Sequence, residues 1–494
     1  MKKNVVIIHT DEQRYDSLGC SGNTFALTPN IDKLAKEGSY FSRHIATNPI
    51  CMPSRASLLT GLYPPGHNVY TNGVALNRKD YASKEALRDG IFIEPATMAD
   101  MFSNAGYDTV SFGKLHLTPT RSSVESGYHE SRARFESGEL DDWHGPYYGF
   151  RYVDITEGHG EQPCLAGHYS KWLRENHQET YRKVIEQQGK QKCPIQSQQN
   201  LYPSPVPFEQ SCSAWLAKRF DEYIAQQASS MEPFFSFIGF PDPHHPFTPS
   251  YDILEKFMDS EIPEASDMNG VGLNGNPILS TASNTIESGE HQKLAALYTK
   301  AMVYQIDLAV GRIIETLKKN GLLENTIVIF TSDHGDFLGQ HGLIYKSQAA
   351  SDALLHIPFI IRVPGSDIPS KVDTPMSNCD VLPTLAALTG IEAPDGIHGQ
   401  NIIAKIGKEN RVFAYCADGV PENLNYTVYN SKYRYTWYPV SGFEELFDHS
   451  NNRNECNNLA ENCNYDSLKS DMQNQIKDHL IKCSNPILGR NCSW

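Results

Sequence analysis

Cys51 heads the run Cys51-Met52-Pro53-Ser54-Arg55-Ala56-Ser57-Leu58-Leu59-Thr60-Gly61. Pro53 suits the first turn of a helix, where its missing N–H would have had no partner. The pattern predicts a helix that begins at Cys51 and closes at Thr60-Gly61. Unpaired backbone N–H groups and the positive end of the helix dipole lie at that start, and both favour an anion. Arg55 is four residues on and can turn its side chain back toward Cys51. A free cysteine alone is more often a small buried core residue, so its surroundings decide.

Other segments carry reactive side chains: Asp11-Glu12, Gly113-Lys114-Leu115-His116, Pro241-Asp242-Pro243-His244-His245-Pro246-Phe247 and Ser332-Asp333-His334-Gly335. Asp11, Glu12 and Asp333 offer three carboxylates and His334 an imidazole. Hard oxygen donors suit Ca2+ or Mg2+, and a set that includes histidine also accepts Mn2+ or Zn2+. Lys114 and His116, taken alone, read as an exposed lysine and an incidental histidine.

The elements that must position these groups are strands. Apolar runs at residues 4–9, 107–112, 234–240, 326–330 and 357–363 read as strands. Asp11, Lys114, His244 and Asp333 each follow one of them. In open α/β sheets the functional crevice forms at the carboxyl ends of the strands. One polar loop residue beside water is ordinary; four of complementary chemistry at one edge are not. Helical patterns at about 29–37, 94–104, 208–227, 290–320 and 380–388 alternate with the strands. The expected fold is α/β, with a large, mostly parallel central sheet flanked by helices.

Residues 119–207 have weak periodicity and many Gly, Tyr, His, Gln and Pro, and read as a surface excursion suited to substrate selection. Residues 266–288 read as a second polar loop. From about 405 the character changes to short strand-like runs such as 433–438, followed by a helical 468–482. The expected division is a catalytic α/β domain over 1–400 and a smaller C-terminal α+β subdomain over 401–494. No internal repeat is visible, and the Gln-rich patch at 186–199 is too short for a low-complexity domain.

Cys-x-Pro-Ser-Arg followed by Thr-Gly resembles the signature of the type I, formylglycine-dependent sulfatases of the alkaline-phosphatase-like superfamily. The resemblance runs through separated motifs over about residues 4–390 and is weaker at Glu445-Leu446-Phe447-Asp448. It implies a sulfuric ester hydrolase with an alkaline-phosphatase-like fold. It also implies that a maturation enzyme oxidises Cys51 to formylglycine (3-oxoalanine), whose hydrate attacks sulfur and whose second hydroxyl later expels sulfate. By the same resemblance Asp11, Glu12, Asp333, His334 and the modified Cys51 hold one divalent cation, usually Ca2+, with Mg2+ or Mn2+ as alternatives. Glu12 stands where the family more often has Asp or Gln. Lys114 and Lys346 would bind sulfate, His116 would assist the hydrate, Arg55 would support it, and His244 would face the leaving-group oxygen. His245 is the local competitor for that last role.

Two other readings are open. A phosphonate or phosphate ester hydrolase of the same superfamily can carry Cys-x-Pro-x-Arg, but such members tend to lack Gly-Lys-x-His. A non-catalytic anion binder would leave the occupied catalytic positions without a purpose. The Asp242–Phe247 segment looks closer to carbohydrate sulfatases, including those acting on glycosaminoglycans, than to the Asn-type arylsulfatases. A small sulfated sugar or oligosaccharide is therefore the expected substrate. Trp143, Tyr147, Tyr148, His159 and His168 in the excursion either line a sugar pocket or pack beneath a long loop.

The chain has 494 residues, ample for a large core without disulfide staples. Its net charge of −15 argues against a nucleic-acid partner. An anionic substrate then needs a local cluster of Lys, Arg and His. No run approaches the roughly 20 apolar residues that span a membrane. The apolar run that follows Met1-Lys2-Lys3-Asn4 is too short for a signal-peptide core, so the expected location is cytoplasmic unless a leader has been removed. The 11 cysteines form no Cys-x-x-Cys pair, and reduced thiols are expected.

Overall fold

The structure is a computed structural model that describes all residues except 1, 80–93, 189, 191–199, 228–231, 263–274, 451–454 and 485–494. Every residue of the first strand, β1 (Asn4–Thr10), is buried. Side chains alternate across a strand. Val5 and Ile7 therefore enter one core, and Val6 and Ile8 the other. A strand that is apolar on both sides needs cover on both, and that requirement sets the layering.

β1 lies inside an eight-stranded sheet with β2 (Ser39–Phe41), β3 (Asp108–Gly113), β4 (Tyr152–Ile155), β5 (Phe234–Gly239), β6 (Thr326–Ser332), β7 (Phe359–Arg362) and β8 (Lys371–Val372). The spatial order is β8-β2-β7-β6-β1-β5-β3-β4. β7 runs against both neighbours, and all other pairs are parallel. Helices α1 (Pro29–Glu37), α3 (Cys212–Gln227) and α4 (Gly289–Lys319) cover one face through Ile31, Leu34, Trp215, Phe220, Ile306 and Ile313. Helices α2 (Cys51–Thr60) and α5 (Val381–Thr389) cover the other through Met52, Ala56, Leu59, Leu382 and Leu385. None of the described helices is long and apolar enough to cross a membrane. None of the nine described cysteines is in a disulfide.

Some expectations change. The helix expected from residue 208 begins at Cys212, after a separate 3-10 turn over Phe208–Gln210. The helix expected from residue 94 begins at Met98. Pro95 disfavours a helical residue before it, and Thr97 and Asp100 close a capping box that fixes the start. The 119–207 excursion is more than a surface loop, because its residues Tyr152–Ile155 form the edge strand β4, paired in parallel with β3. The Gln-rich patch lies largely outside the described residues, as does part of the 266–288 loop.

The C-terminal region forms an antiparallel sheet in the order β9 (Val412–Cys416), β10 (Asn425–Tyr429), β11 (Tyr433–Trp437), β12 (Glu444–Asp448). Helix α6 (Asp466–Cys483) packs Met472 and Ile476 against it. A buried ionic seam joins this unit to the rest. Arg434 on β11 donates to Glu455 and, at 3.1 Å, to Glu445. Glu455 also accepts from Ser351 Oγ at 3.2 Å and from the Asp352 N–H at 3.0 Å.

Burial opposes ionisation of Glu455, yet Arg434 and His449 outweigh it and hold the carboxyl below its ordinary 4.5. A carboxyl depressed in the folded state adds stability above its unfolded pKa, and that stability is lost as pH falls through the folded one. Glu455→Gln is expected to lower the unfolding free energy at neutral pH by about 3 kcal/mol, because it strands a buried guanidinium. It should also flatten the loss of stability below pH 4.5. Urea titrations across pH measure both effects, and an unchanged acid limb would refute the seam's contribution.

Candidate active site

Four neighbouring parallel strands, β6, β1, β5 and β3, deliver the chemistry from their carboxyl ends. β6 leads into Asp333 and His334, β1 into Asp11 and Glu12, β5 into the segment with His244 and His245, and β3 into Lys114 and His116. Backbone bonds continue beyond the strands. The Asp333 N–H reaches Thr10 O at 3.3 Å, the Asp11 N–H reaches Asp242 O at 3.2 Å, and the Lys114 N–H reaches Gly239 O at 2.8 Å. Gly113 has φ +99°, and a Cβ there would stand 2.0 Å from Gly239 O. Only glycine permits this approach, and it sets the position of Lys114.

Helix α2 begins at Cys51 after the extended Ile50 and ends against Gly61, and all ten of its residues are buried. Arg55 is completely buried. Its Nε donates to Asp333 Oδ2 at 2.8 Å, its Nη2 to Asp11 Oδ2 at 2.9 Å and its Nη1 to Lys114 O at 2.8 Å. These acceptors occupy the guanidinium, and no hydrogen bond joins it to Cys51 among the described residues.

The Cys51 Sγ lies 3.2 Å from Lys346 Nζ, 3.3 Å from His334 Nε2 and 3.7 Å from Asp11 Oδ1. Burial alone would raise its pKa, but Lys346, Lys114 and His334 outweigh that and hold the thiol well below its ordinary value. His334 Nδ1 is 2.9 Å from the Gly335 carbonyl. A carbonyl only accepts, so Nδ1 carries a proton and Nε2 is the nitrogen that faces the site. Burial is outweighed by Asp333 and Cys51, which raise the His334 pKa to about 9, so a cation at Nε2 would displace a proton there. Lys346 also touches Glu12 Oε2 at 3.2 Å and His244 Nε2. Lys114 pairs with Asp11 and His159. Burial and Lys114 together lower the pKa of His116, against an opposing pull from Cys51. All predicted site residues thus meet in one place.

The sulfatase family model matches residues 3–391, and a model of the N-sulphoglucosamine sulphohydrolase C-terminal region matches 339–482. The chain belongs to the sulfatase family. It is 28% identical to an arylsulfatase of Clostridium perfringens over 94% of this chain and 92% of that protein. It is 25% identical to an N-acetylglucosamine-6-O-sulfatase of Bacteroides thetaiotaomicron, over 83% and 72%. The solved phosphonate monoester hydrolase of Agrobacterium radiobacter shares the fold, with a TM-score of 0.77 and 21% identity over 98% of this chain and 96% of that one. The family and its named relatives make this protein a sulfuric ester hydrolase.

In this sulfatase, donor atoms of Asp11, Cys51, Asp333 and His334 all lie within 4.8 Å of one another. Two carboxylates and an imidazole with Nε2 turned inward fit a divalent cation. The Glu12 carboxylate gathers instead with His244 and His245, at 2.9 Å from His244 Nε2 and 3.1 Å from His245 Nδ1. Its backbone has φ +61°, and its N–H donates to Asp333 Oδ1 at 3.0 Å. Two residues add to the predicted set. His159 sits on Lys114. Asp336 is buried, and burial together with the charge of Glu12 holds its carboxyl well above the usual range. Asp336 follows Asp333 by three residues, its sole sequence signal; His159 lies between two glycines.

Arg55→Lys preserves the charge but cannot meet three fixed acceptors. Loss of the fork is expected to lower kcat/KM on an aryl sulfate by about 100-fold through displaced neighbours. Steady-state kinetics on the folded variant check this; near-native activity would show that the bridging is dispensable.

Proposed function

We propose that this enzyme removes sulfate from a sulfated carbohydrate, using a formylglycine made from Cys51 by a maturation enzyme and one divalent cation, Ca2+ foremost, with Mg2+ or Mn2+ as substitutes. The observation that carries the reading is the Cys51 Sγ at the start of a buried helix, 3.2 Å from Lys346 and 3.3 Å from His334. The sugar named in the N-acetylglucosamine-6-O-sulfatase relative supports the substrate class. Asp11, Asp333, His334 and the modified residue 51 would hold the cation, and Glu12 would complete the set.

A bound cation supplies fixed positive charge and Lewis acidity toward the sulfate oxygens. Formylglycine, as its hydrate, supplies one oxygen to attack sulfur and a second to expel sulfate, which neither a thiol nor a serine can provide. The chain's own residues do the rest. Lys114 and Lys346 bind the equatorial oxygens and stabilise charge that builds in the transition state. Arg55 orients Asp11 and Asp333 beneath them. His116, held neutral by burial and Lys114, is in the state a base requires.

His244 donates a proton from Nε2 to the departing alcohol oxygen. Its Nδ1 contacts the His245 carbonyl, which fixes the ring. Burial disfavours the imidazolium, but Glu12 outweighs it and raises the pKa. His245 suits the role less. Burial lowers it to about 4, and its ring faces Tyr345 with centroids 4.2 Å apart. Phosphate and phosphonate esters are the alternative substrates within the superfamily; the Lys114–His116 pair favours sulfate.

Side-by-side rates on aryl sulfate, phosphate and phosphonate esters are expected to favour sulfate, and a preference for phosphorus would overturn the assignment. Chelation should abolish turnover, and Ca2+ should restore it. Mass spectrometry of the Cys51 peptide from active enzyme should show the aldehyde; an intact thiol at full activity would refute the mechanism. Cys51→Ser should lose at least about 1,000-fold in kcat, the scale on which nucleophile loss is read.

A further inference from the structure

The edge strand β4 brings one more residue to the same crevice. Beyond Ile155 the chain continues Thr156-Glu157-Gly158-His159-Gly160-Glu161. His159 Nε2 meets the Lys114 ammonium. Its ring lies flat on that of His244, with centroids 3.5 Å apart and planes 8° from parallel. It stands edge-on to His116 at 6.4 Å. One of its nitrogens lies within 4.8 Å of donor atoms of Asp11, Cys51 and His244. Lys114 and His244 are buried, whereas His159 is partly exposed. The loop is wedged in place: a Cβ at Gly160 would stand 3.0 Å from Pro246 O and 3.1 Å from Thr248 Oγ1. Residue 160 thus packs on the segment that carries His244.

We propose that His159 is a positioning residue of the reaction, one that fixes the Lys114 ammonium and the plane of the His244 ring together. An ammonium has three donors. Asp11 takes one and His159 Nε2 a second, which leaves the third for a sulfate oxygen. The His244 ring is held at Nδ1 by the His245 carbonyl and across its face by His159. Proton delivery to a leaving group needs the donor held within about 0.5 Å and 10–20°. The excursion therefore sets the geometry of both sulfate binding and leaving-group protonation through one side chain.

This inference rests on the reading of His244 as the acid and Lys114 as a sulfate ligand. Its test uses full-length enzyme with residue 51 converted, and a series of aryl sulfates whose phenols range from acidic to weakly acidic. Acidic phenols leave without a proton; weakly acidic ones need it. His159→Ala should lose about 100-fold in kcat on the weakly acidic phenols, within the range a general acid contributes, and only a few-fold on the acidic ones. It should also raise KM across the series, because Lys114 is released. His159→Gln keeps an acceptor for Lys114 but no stacked ring, so it should restore KM and not kcat. Added imidazole should recover part of the kcat of the Ala variant. A loss equal for all phenols, or no loss, overturns the proposal. Should the Ala variant fail to fold, the Gln variant carries the same comparison. If wild-type enzyme prefers phosphorus esters, the sulfate reading fails by itself, and the same series with that ester still decides the role of His159.

Discussion

Arg55 is completely buried, and the acceptors that satisfy it lie at the ends of three different strands. An unpaired charge at this depth would cost several kcal/mol. The folded chain must therefore bring the ends of β6, β1 and β3 to one helix. The need runs both ways. Asp11 and Asp333 are fully buried carboxylates close enough that Asp11, after burial, is the main influence raising the Asp333 pKa. The guanidinium between them offsets that repulsion. The helix that carries Cys51 is thus tied to the strand ends by the same bonds that keep the acids together.

Around this core the site alternates sign. Lys114 lies on Asp11, Lys346 on Glu12 and Cys51, and His244 on Glu12. Cationic groups concentrated at one sheet edge explain how a chain with net charge −15 can present an anion pocket. The two ionic systems differ in purpose. The Arg434–Glu455–Glu445 seam pairs its charges with one another, and Glu455 reaches Ser351 and the Asp352 N–H outside the C-terminal unit. The strand-end system leaves Lys114 with a donor to spare and sets Lys346 against the thiol.

Legibility followed burial on two faces. Residues 4–9 and 326–330 read as strands because parallel strands covered on both sides are continuous apolar runs; their ends located Asp11 and Asp333. β4 did not read this way. Tyr152-Val153-Asp154-Ile155 carries a carboxylate mid-strand, and its partners Arg219 and His144 come from elsewhere in the chain. Without β4 next to β3, His159 reads only as one of five excursion residues that either line a sugar pocket or pack beneath a long loop. Glu12 was legible as a residue of the edge, but its side-chain direction was not. That direction follows from a left-handed backbone and from two histidines more than 230 residues away. Asp336 is buried by a loop that closes through Tyr345, whose N–H donates to it at 3.0 Å.

The burial of helix α2 also has a consequence in time. The groups that enclose the Cys51 thiol include His244, His334 and Lys346, all encoded far downstream. At about 5–20 residues per second, the ribosome needs roughly 15–60 s after residue 51 to reach residue 346. Until then the thiol lacks its enclosing partners and remains open to other proteins. Once the sheet closes, no part of Cys51 is exposed. Any enzyme that alters this side chain thus works against a clock set by translation and folding, and a chain that closes first keeps its thiol.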